Sequence, residues 1–465
     1  MVSSADILKK LEKHIDEASV SQDFSKKWEI LEVKDGVATV IWLDNVMYFE
    51  IVKFESWKKW LILDLLKDYV WVLILWNQQW LSPGQVVTWT WELFSVWVGK
   101  WYEWRVINWI WDVIDDNGDI TPDEIYPVEK VAPRVITRQS VDEPLQTWIK
   151  AIDSMVPIGR WQRELIIWDR QTGKTTVAID TILNQKNENI NCIYVAIWQK
   201  DAKIARIVET LKQQWAMKYT TVVNAPANSP SVMQYIAPYL WCALGERYLN
   251  NWKDALIIYD DLSKHAVAYR EMSLLLKRPP WREAFPWDVF YLHSRLLERA
   301  AKLNDDYWNW SLTALPIIET QAGDVWAYVP TNVISITDWQ IYLSNDLFNS
   351  WIRPAIDVGK SVSRVWWSAQ TKIMKKVSWK LRLDLASYRE LQAFAQFWSD
   401  LDPSTKIKLQ RWERMVELLK QDANSPLHFA EQVILLYAWT QWYLDNISIE
   451  EISKFCDIIT EKVQL

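Results

Sequence analysis

The densest chemistry in the chain lies between residues 164 and 176. An apolar run, Leu165-Ile166-Ile167, leads into Trp168-Asp169-Arg170-Gln171-Thr172-Gly173-Lys174-Thr175-Thr176, followed by a helix-forming stretch to Leu183. With Trp168 read as glycine, the eight residues from 168 to 175 fit GxxxxGK[ST]. That is the loop whose backbone N–H groups, with the N-terminus of the next helix, cradle phosphate. Lys174 then neutralises β- and γ-phosphoryl oxygens, and the Thr175 hydroxyl is a ligand for Mg²⁺. About eighty residues later, Asp254-Ala255-Leu256-Ile257-Ile258-Tyr259-Asp260-Asp261 reads as an apolar strand ending in acid. A carboxylate at that strand end can orient the metal ion through its water shell, which makes Asp260 a second Mg²⁺ residue.

Reading Trp168 as glycine follows from the composition. The chain has 35 tryptophans and only nine glycines in 465 residues. Many tryptophans stand where turns take glycine: Pro280-Trp281-Arg282, Pro286-Trp287-Asp288, Asp338-Trp339-Gln340 and the pair Trp366-Trp367. Tryptophan and glycine together make up 44 of 465 residues, slightly above the usual glycine share of about 7%. A UGA codon that means glycine in the source organism, read as tryptophan, produces this pattern. The nine surviving glycines then follow codon choice rather than structural need. The energetics agree: each left-handed non-glycine backbone costs about 1–2 kcal/mol, and overpacking adds about 1–3 more.

Residues 3–18 have the spacing of a short amphipathic helix, with Ser3 and Asp6 as a capping box and Ile7, Leu8, Leu11 and Ile15 on one face. Short β-rich runs follow at 37–43, 46–54, 61–65, 70–75 and 86–90, spaced as in small barrels. From about 99 to 360, apolar strands at 165–167, 192–197, 220–223 and 255–259 alternate with helical patterns, the signature of a mostly parallel sheet. After about Arg364 helical spacing takes over, at 385–397, 407–420 and 430–439. The expected fold is therefore multidomain α/β: an N-terminal helix (1–24), a β-barrel (25–98), a P-loop nucleotide-binding domain (99–360) and a C-terminal helical bundle (361–465).

Composition narrows the class. The net charge of −7 gives no electrostatic case for a nucleic-acid partner. Three distant cysteines, Cys192, Cys242 and Cys456, read as reduced thiols of a cytosolic protein, and four scattered histidines suggest no metal cluster. The N-terminus lacks the apolar stretch of a secretory signal. The most apolar region, 60–76, is broken by Asp64, Lys67 and Asp68, so no membrane span is expected.

The sequence also carries a family resemblance. The runs Thr137-Arg138-Gln139, Glu143-Pro144-Leu145-Gln146-Thr147, 151–160, 169–175, 257–266, 283–301 and Ser361-Val362-Ser363-Arg364-Val365 resemble, in order, alpha subunits of F-type ATP synthases, with family glycines at almost every tryptophan. The resemblance implies a hexamer of alternating alpha and beta subunits around a gamma rotor. It also implies peripheral-stalk delta and b subunits held through the N-terminal region, and attachment at the cytoplasmic face of the bacterial plasma membrane to a proton channel. It implies ATP or ADP with Mg²⁺ bound by 168–176, Gln199 and Asp260. It places Arg353, Pro354 and Gln421 in the adenine pocket, with Ala423 where the family often has a second glutamine. It assigns Arg364 as an arginine finger reaching into the beta catalytic site, a role suited to a rigid multi-donor fork. Catalytic relatives carry glutamate where this chain has Gln199, and an amide cannot take a proton from attacking water. The expectation is a non-catalytic, regulatory nucleotide site. The alternative is a self-sufficient hexameric motor of the secretion or RNA-translocase type, against which Gln199 and the missing basic patch both argue.

Overall fold

The computed structural model describes residues 28–34, 36–41, 46–54, 59–74, 81–108, 113–115, 118, 123–170, 172–307, 309–363, 368–379, 381, 384–385, 387–388 and 402–463. The helix expected at 3–18 and most of the one expected at 385–397 lie outside the described residues. The chain divides into two compact units, 1–95 and 96–465.

The first unit is a closed barrel of six strands: β1 (Trp28–Lys34), β2 (Val37–Ile41), β3 (Glu50–Phe54), β4 (Lys59–Leu65), β5 (Tyr69–Leu73) and β6 (Val86–Leu93), paired in the order β1-β2-β5-β4-β3-β6. Its core takes alternate residues, Ala38 and Val40, Val52 and Phe54, Trp60 and Ile62, Val70 and Val72, as the two-residue period of a strand requires. Register shifts at Ile30/Glu32, Glu50/Val52 and Ile62/Asp64 mark where strands bend as the sheet closes. The sequence reading missed β1. Its apolar positions, Trp28 and Ile30, are outnumbered by exposed Glu29, Leu31 and Glu32, so the inward face is short.

The second unit is built on an eight-stranded sheet: β7 (Val106–Asn108), β8 (Glu164–Trp168), β9 (Ile190–Gln199), β10 (Thr220–Pro226), β11 (Asp254–Asp260), β12 (Leu312–Glu319), β13 (Trp339–Tyr342) and β14 (Val362–Ser363). The order is β14-β13-β8-β12-β11-β9-β10-β7, parallel except for the antiparallel edge strand β14. Its central strands are buried along nearly their whole length, as in sheets covered on both faces. β12 and β13 also escaped the sequence reading; Pro316 interrupts the one, and the other opens on Trp339-Gln340 in a turn-like context.

Helices α1 (Lys150–Met155), α2 (Lys174–Leu183), α3 (Asp201–Gln213), α4 (Ser231–Asn250) and α5 (Leu262–Leu275) flank the sheet, and the chain ends in α6 (Lys372–Ser378), α7 (Pro403–Leu419), α8 (Phe429–Thr440) and α9 (Ile452–Val463). One apolar core runs from the sheet through α1 and α2 into Met415, Leu418, Leu435 and Leu436 of this helical region. Buried polar bonds fasten the same seam. Lys150 Nζ donates to the Leu418 carbonyl at 2.6 Å, and Gln432 Nε2 donates to Asp153 Oδ2 at 3.0 Å.

Seventeen described non-glycine residues have positive φ, and nine of them are tryptophans: 91, 104, 148, 161, 198, 215, 252, 351 and 442. The indole N–H groups of Trp161, Trp168, Trp241 and Trp339 are buried without an acceptor, whereas a buried indole ordinarily finds one. Gly36, Gly84, Gly118, Gly173 and Gly323 all have positive φ, the conformation in which a Cβ is strained.

Candidate functional site

Four parallel strands, β8, β9, β11 and β12, end in Trp168, Gln199, Asp260 and Glu319. Ligands of open α/β sheets bind outside such carboxyl ends. A cleft of about 900 Å³ opens there, lined among others by Arg170, Thr172, Gly173, Lys174, Thr175, Thr176, Gln199, Asp260, Arg353, Pro354 and Gln421.

The phosphate end starts at Gly173, which precedes α2 with φ 93°. No atom lies within 4 Å of where its Cβ would be, so the backbone sign alone calls for glycine. The turn aims the first N–H groups of α2, which have no partner within the helix, into the cleft. Lys174 is buried and folded back on the loop, donating to the Trp168 carbonyl at 2.6 Å and to the Asp169 carbonyl. Burial pulls its ammonium below the usual lysine range, opposed by Glu319 and the neighbouring aspartates. An anion in the cleft supplies the charged acceptors that these carbonyls lack.

Asp260 is buried at the end of β11 and accepts four side-chain donors. Thr175 Oγ1 is at 2.8 Å, Tyr194 O–H at 2.6 Å, Gln199 Nε2 at 3.2 Å and Lys203 Nζ at 3.3 Å. A hydroxyl and a carboxylate side by side below a phosphate loop are the hard oxygen donors that Mg²⁺ takes, so the residues fit that ion. Asp261 also lines the cleft and caps α5, accepting the Lys264 N–H at 2.7 Å. Burial pushes its carboxyl up to about 7, with Lys264 lowering it and Asp260 raising it.

At the other end of the cleft, the Arg353 guanidinium stacks on Phe348 and Trp351, 4.6 and 4.8 Å from the ring centres. Gln421 is held by backbone on all sides. It donates to the Trp148 and Ser425 carbonyls at 2.7 and 2.8 Å, accepts the Lys150 N–H at 3.0 Å, and its own N–H donates to the Arg353 carbonyl at 2.8 Å.

Two residues expected in the loop turn away. Trp168 packs its ring against Tyr342, and Asp169 accepts from Thr320, from the Gly323 N–H at 2.8 Å and from Asn345 at 3.0 Å. Gln171 and Arg364 lie outside the described residues. The sequence reading missed Tyr194, Lys203, Lys264 and Glu319. Lys203 alone had a local signal, its position four residues beyond Gln199 at the start of the following helix.

The strand–loop–helix and the acidic strand end define a P-loop nucleotide-binding protein on a mostly parallel sheet. Residues 149–363 match the family "ATP synthase alpha/beta family, nucleotide-binding domain", and residues 370–465 match "ATP synthase alpha/beta chain, C terminal domain". ATP synthase subunit alpha of Aquifex aeolicus (strain VF5) is 57% identical over 423 residues, covering 91% of this chain and 84% of that protein. The chain belongs to the ATP synthase alpha subunits. Among the described residues no helix is long and apolar enough to cross a membrane.

Proposed function

We propose that this subunit holds ATP or ADP with Mg²⁺ in its own cleft without hydrolysing it, and that it regulates catalysis carried out by a neighbouring beta subunit. Lys174, Thr175 and the α2 N–H groups bind the phosphates. Thr175 and, through water, Asp260 hold Mg²⁺. Arg353, Pro354 and Gln421 flank the base.

The state of Gln199 carries this reading. Its amide donates to Asp260 and accepts from Lys203 Nζ at 3.0 Å, so it has no basic group to offer water. The carboxylates near the phosphate loop are committed elsewhere. Asp260 receives four donors, Asp261 caps α5, and Glu319 pairs with Arg170 and Lys264. Arg364 acts in trans as the arginine finger of the beta site, within an alternating hexamer that turns a gamma shaft. The delta and b subunits hold that hexamer near its N-terminal region, at the cytoplasmic face of a bacterial plasma membrane.

The native protein, on this reading, carries glycine at most tryptophan positions. Nine left-handed tryptophans and four buried indoles without acceptors support it. The test of the site uses that glycine form, assembled with its partners. Lys174→Ala should empty this subunit of nucleotide while leaving single-turnover hydrolysis at the beta sites. Loss of that first turnover in an intact hexamer would make this site catalytic.

A further inference from the structure

Lys203 occupies a position that nothing in the phosphate-loop chemistry requires. It sits in the first turn of α3, where the helix dipole disfavours a cation. Its side chain is 41% exposed and free to point into solvent. Instead its ammonium reaches Thr175 Oγ1 at 3.0 Å, Gln199 Oε1 at 3.0 Å and Asp260 Oδ2 at 3.3 Å. These contacts outweigh the dipole and the entropy of a long side chain, and two of the three, Thr175 and Asp260, are to the groups that suit Mg²⁺.

A magnesium ion bound to Thr175 at its usual distance of about 2.1 Å would lie no more than roughly 5 Å from this nitrogen. In a part-buried site a monovalent and a divalent cation that close repel strongly unless an anion lies between them. Either Lys203 or the metal can neutralise Asp260, and the lysine stem is long enough to swing its charge onto a phosphoryl oxygen.

We propose that Lys203 is an exchangeable internal cation of this nucleotide site. It neutralises Asp260 while no metal is present and yields that place to Mg²⁺. When nucleotide enters without metal, it supplies the missing positive charge to the phosphates. The site therefore distinguishes metal-free from metal-bound nucleotide only weakly. The inference rests on the nucleotide reading above.

The test compares the glycine-form complex with Lys203→Met and Lys203→Arg. A photoreactive azido-ATP is titrated in magnesium chloride and in EDTA, and labelling of this chain gives Kd under each condition. The ratio of Kd in EDTA to Kd in magnesium should rise at least about tenfold in Lys203→Met, since one charge-assisted bond to phosphate is lost only where metal is absent. Lys203→Arg should keep the parental ratio. An unchanged ratio in Lys203→Met, or equal weakening under both conditions, would overturn the cation exchange alone. Failure of the parent to bind in magnesium would overturn the nucleotide reading itself.

Discussion

The two ends of the cleft are built differently. The phosphate end gathers residues 173–176, which follow β8, with 199 and 260 at the ends of β9 and β11 of the same parallel sheet, and its geometry follows from the sheet. The base end joins residues 353–354 to 421, from segments far apart in the chain, and is held by side chains that bond backbone. Gln421 alone ties together Trp148, Lys150, Arg353 and Ser425. Strand ends give a rigid site that changes little with context. An end assembled from loops depends on the packing of the helical region behind it.

Restoring glycine at the tryptophans has the largest expected effect, and it should favour the base end. Trp198 is the left-handed tryptophan at the phosphate end, while Trp148 and Trp351 both flank the base residues. Nine such positions at about 1–2 kcal/mol each reach roughly 9–18 kcal/mol, as large as a whole domain's stability of about 5–15 kcal/mol. The tryptophan chain should therefore be insoluble and the glycine chain should melt cooperatively. A cooperative melt of the tryptophan chain with Mg-ATP bound would reject the codon reading, as would UGG codons at most of these sites.

Arg364→Ala should leave both ends of the cleft intact and act elsewhere. A finger of this kind is worth about 10³–10⁵ in rate, or roughly 4–7 kcal/mol of transition-state stabilisation. Steady-state ATPase of the assembled complex should fall by that factor, while nucleotide occupancy of this subunit stays unchanged. Lysine should rescue poorly, because a point charge does not reproduce the fork. Near-normal turnover would make Arg364 an ordinary surface arginine.

The smallest effect separates the two ends by pH. Asp153 is buried behind the base end, accepting from the Thr147 N–H and hydroxyl, the Trp148 N–H and Gln432. Burial pushes its carboxyl up to about 6 despite those bonds. Its unfolded value is about 3.9, so the folded state holds the proton more tightly between the two. Stability should fall as pH rises from about 4 to 6, by about 2–3 kcal/mol at 1.36 kcal/mol per unit. Asp153→Asn should remove its share of that dependence, read by urea melts across the range, and leave the part due to Asp180 and Asp261, which burial also raises. A parental profile in the variant would place the titration on another group.

The same contrast decides what the sequence could tell. The loop 168–175 and the strand 254–260 are contiguous, and their chemistry is local, so both were legible. The barrel, the parallel sheet and the C-terminal helices followed from periodicity. Strands β12 and β13 were not legible, because Pro316 and the turn-like Trp339-Gln340 mask runs that only the sheet makes apolar on both faces. Asp169 and Gln421 fit motif and resemblance, yet their bonds point to the scaffold. No local pattern carries that information, since the Asp169 partners and the Trp148 and Lys150 partners of Gln421 lie more than 150 residues away.

The central claim is that this cleft keeps its nucleotide. The most direct measurement loads the assembled glycine-form complex with ATP radiolabelled at the γ-phosphate and identifies the nucleotide on this chain while the beta sites turn over. The account predicts that the nucleotide here stays ATP, with its label, through many catalytic cycles. Loss of the γ-phosphate from this chain at the rate of steady-state turnover would contradict it.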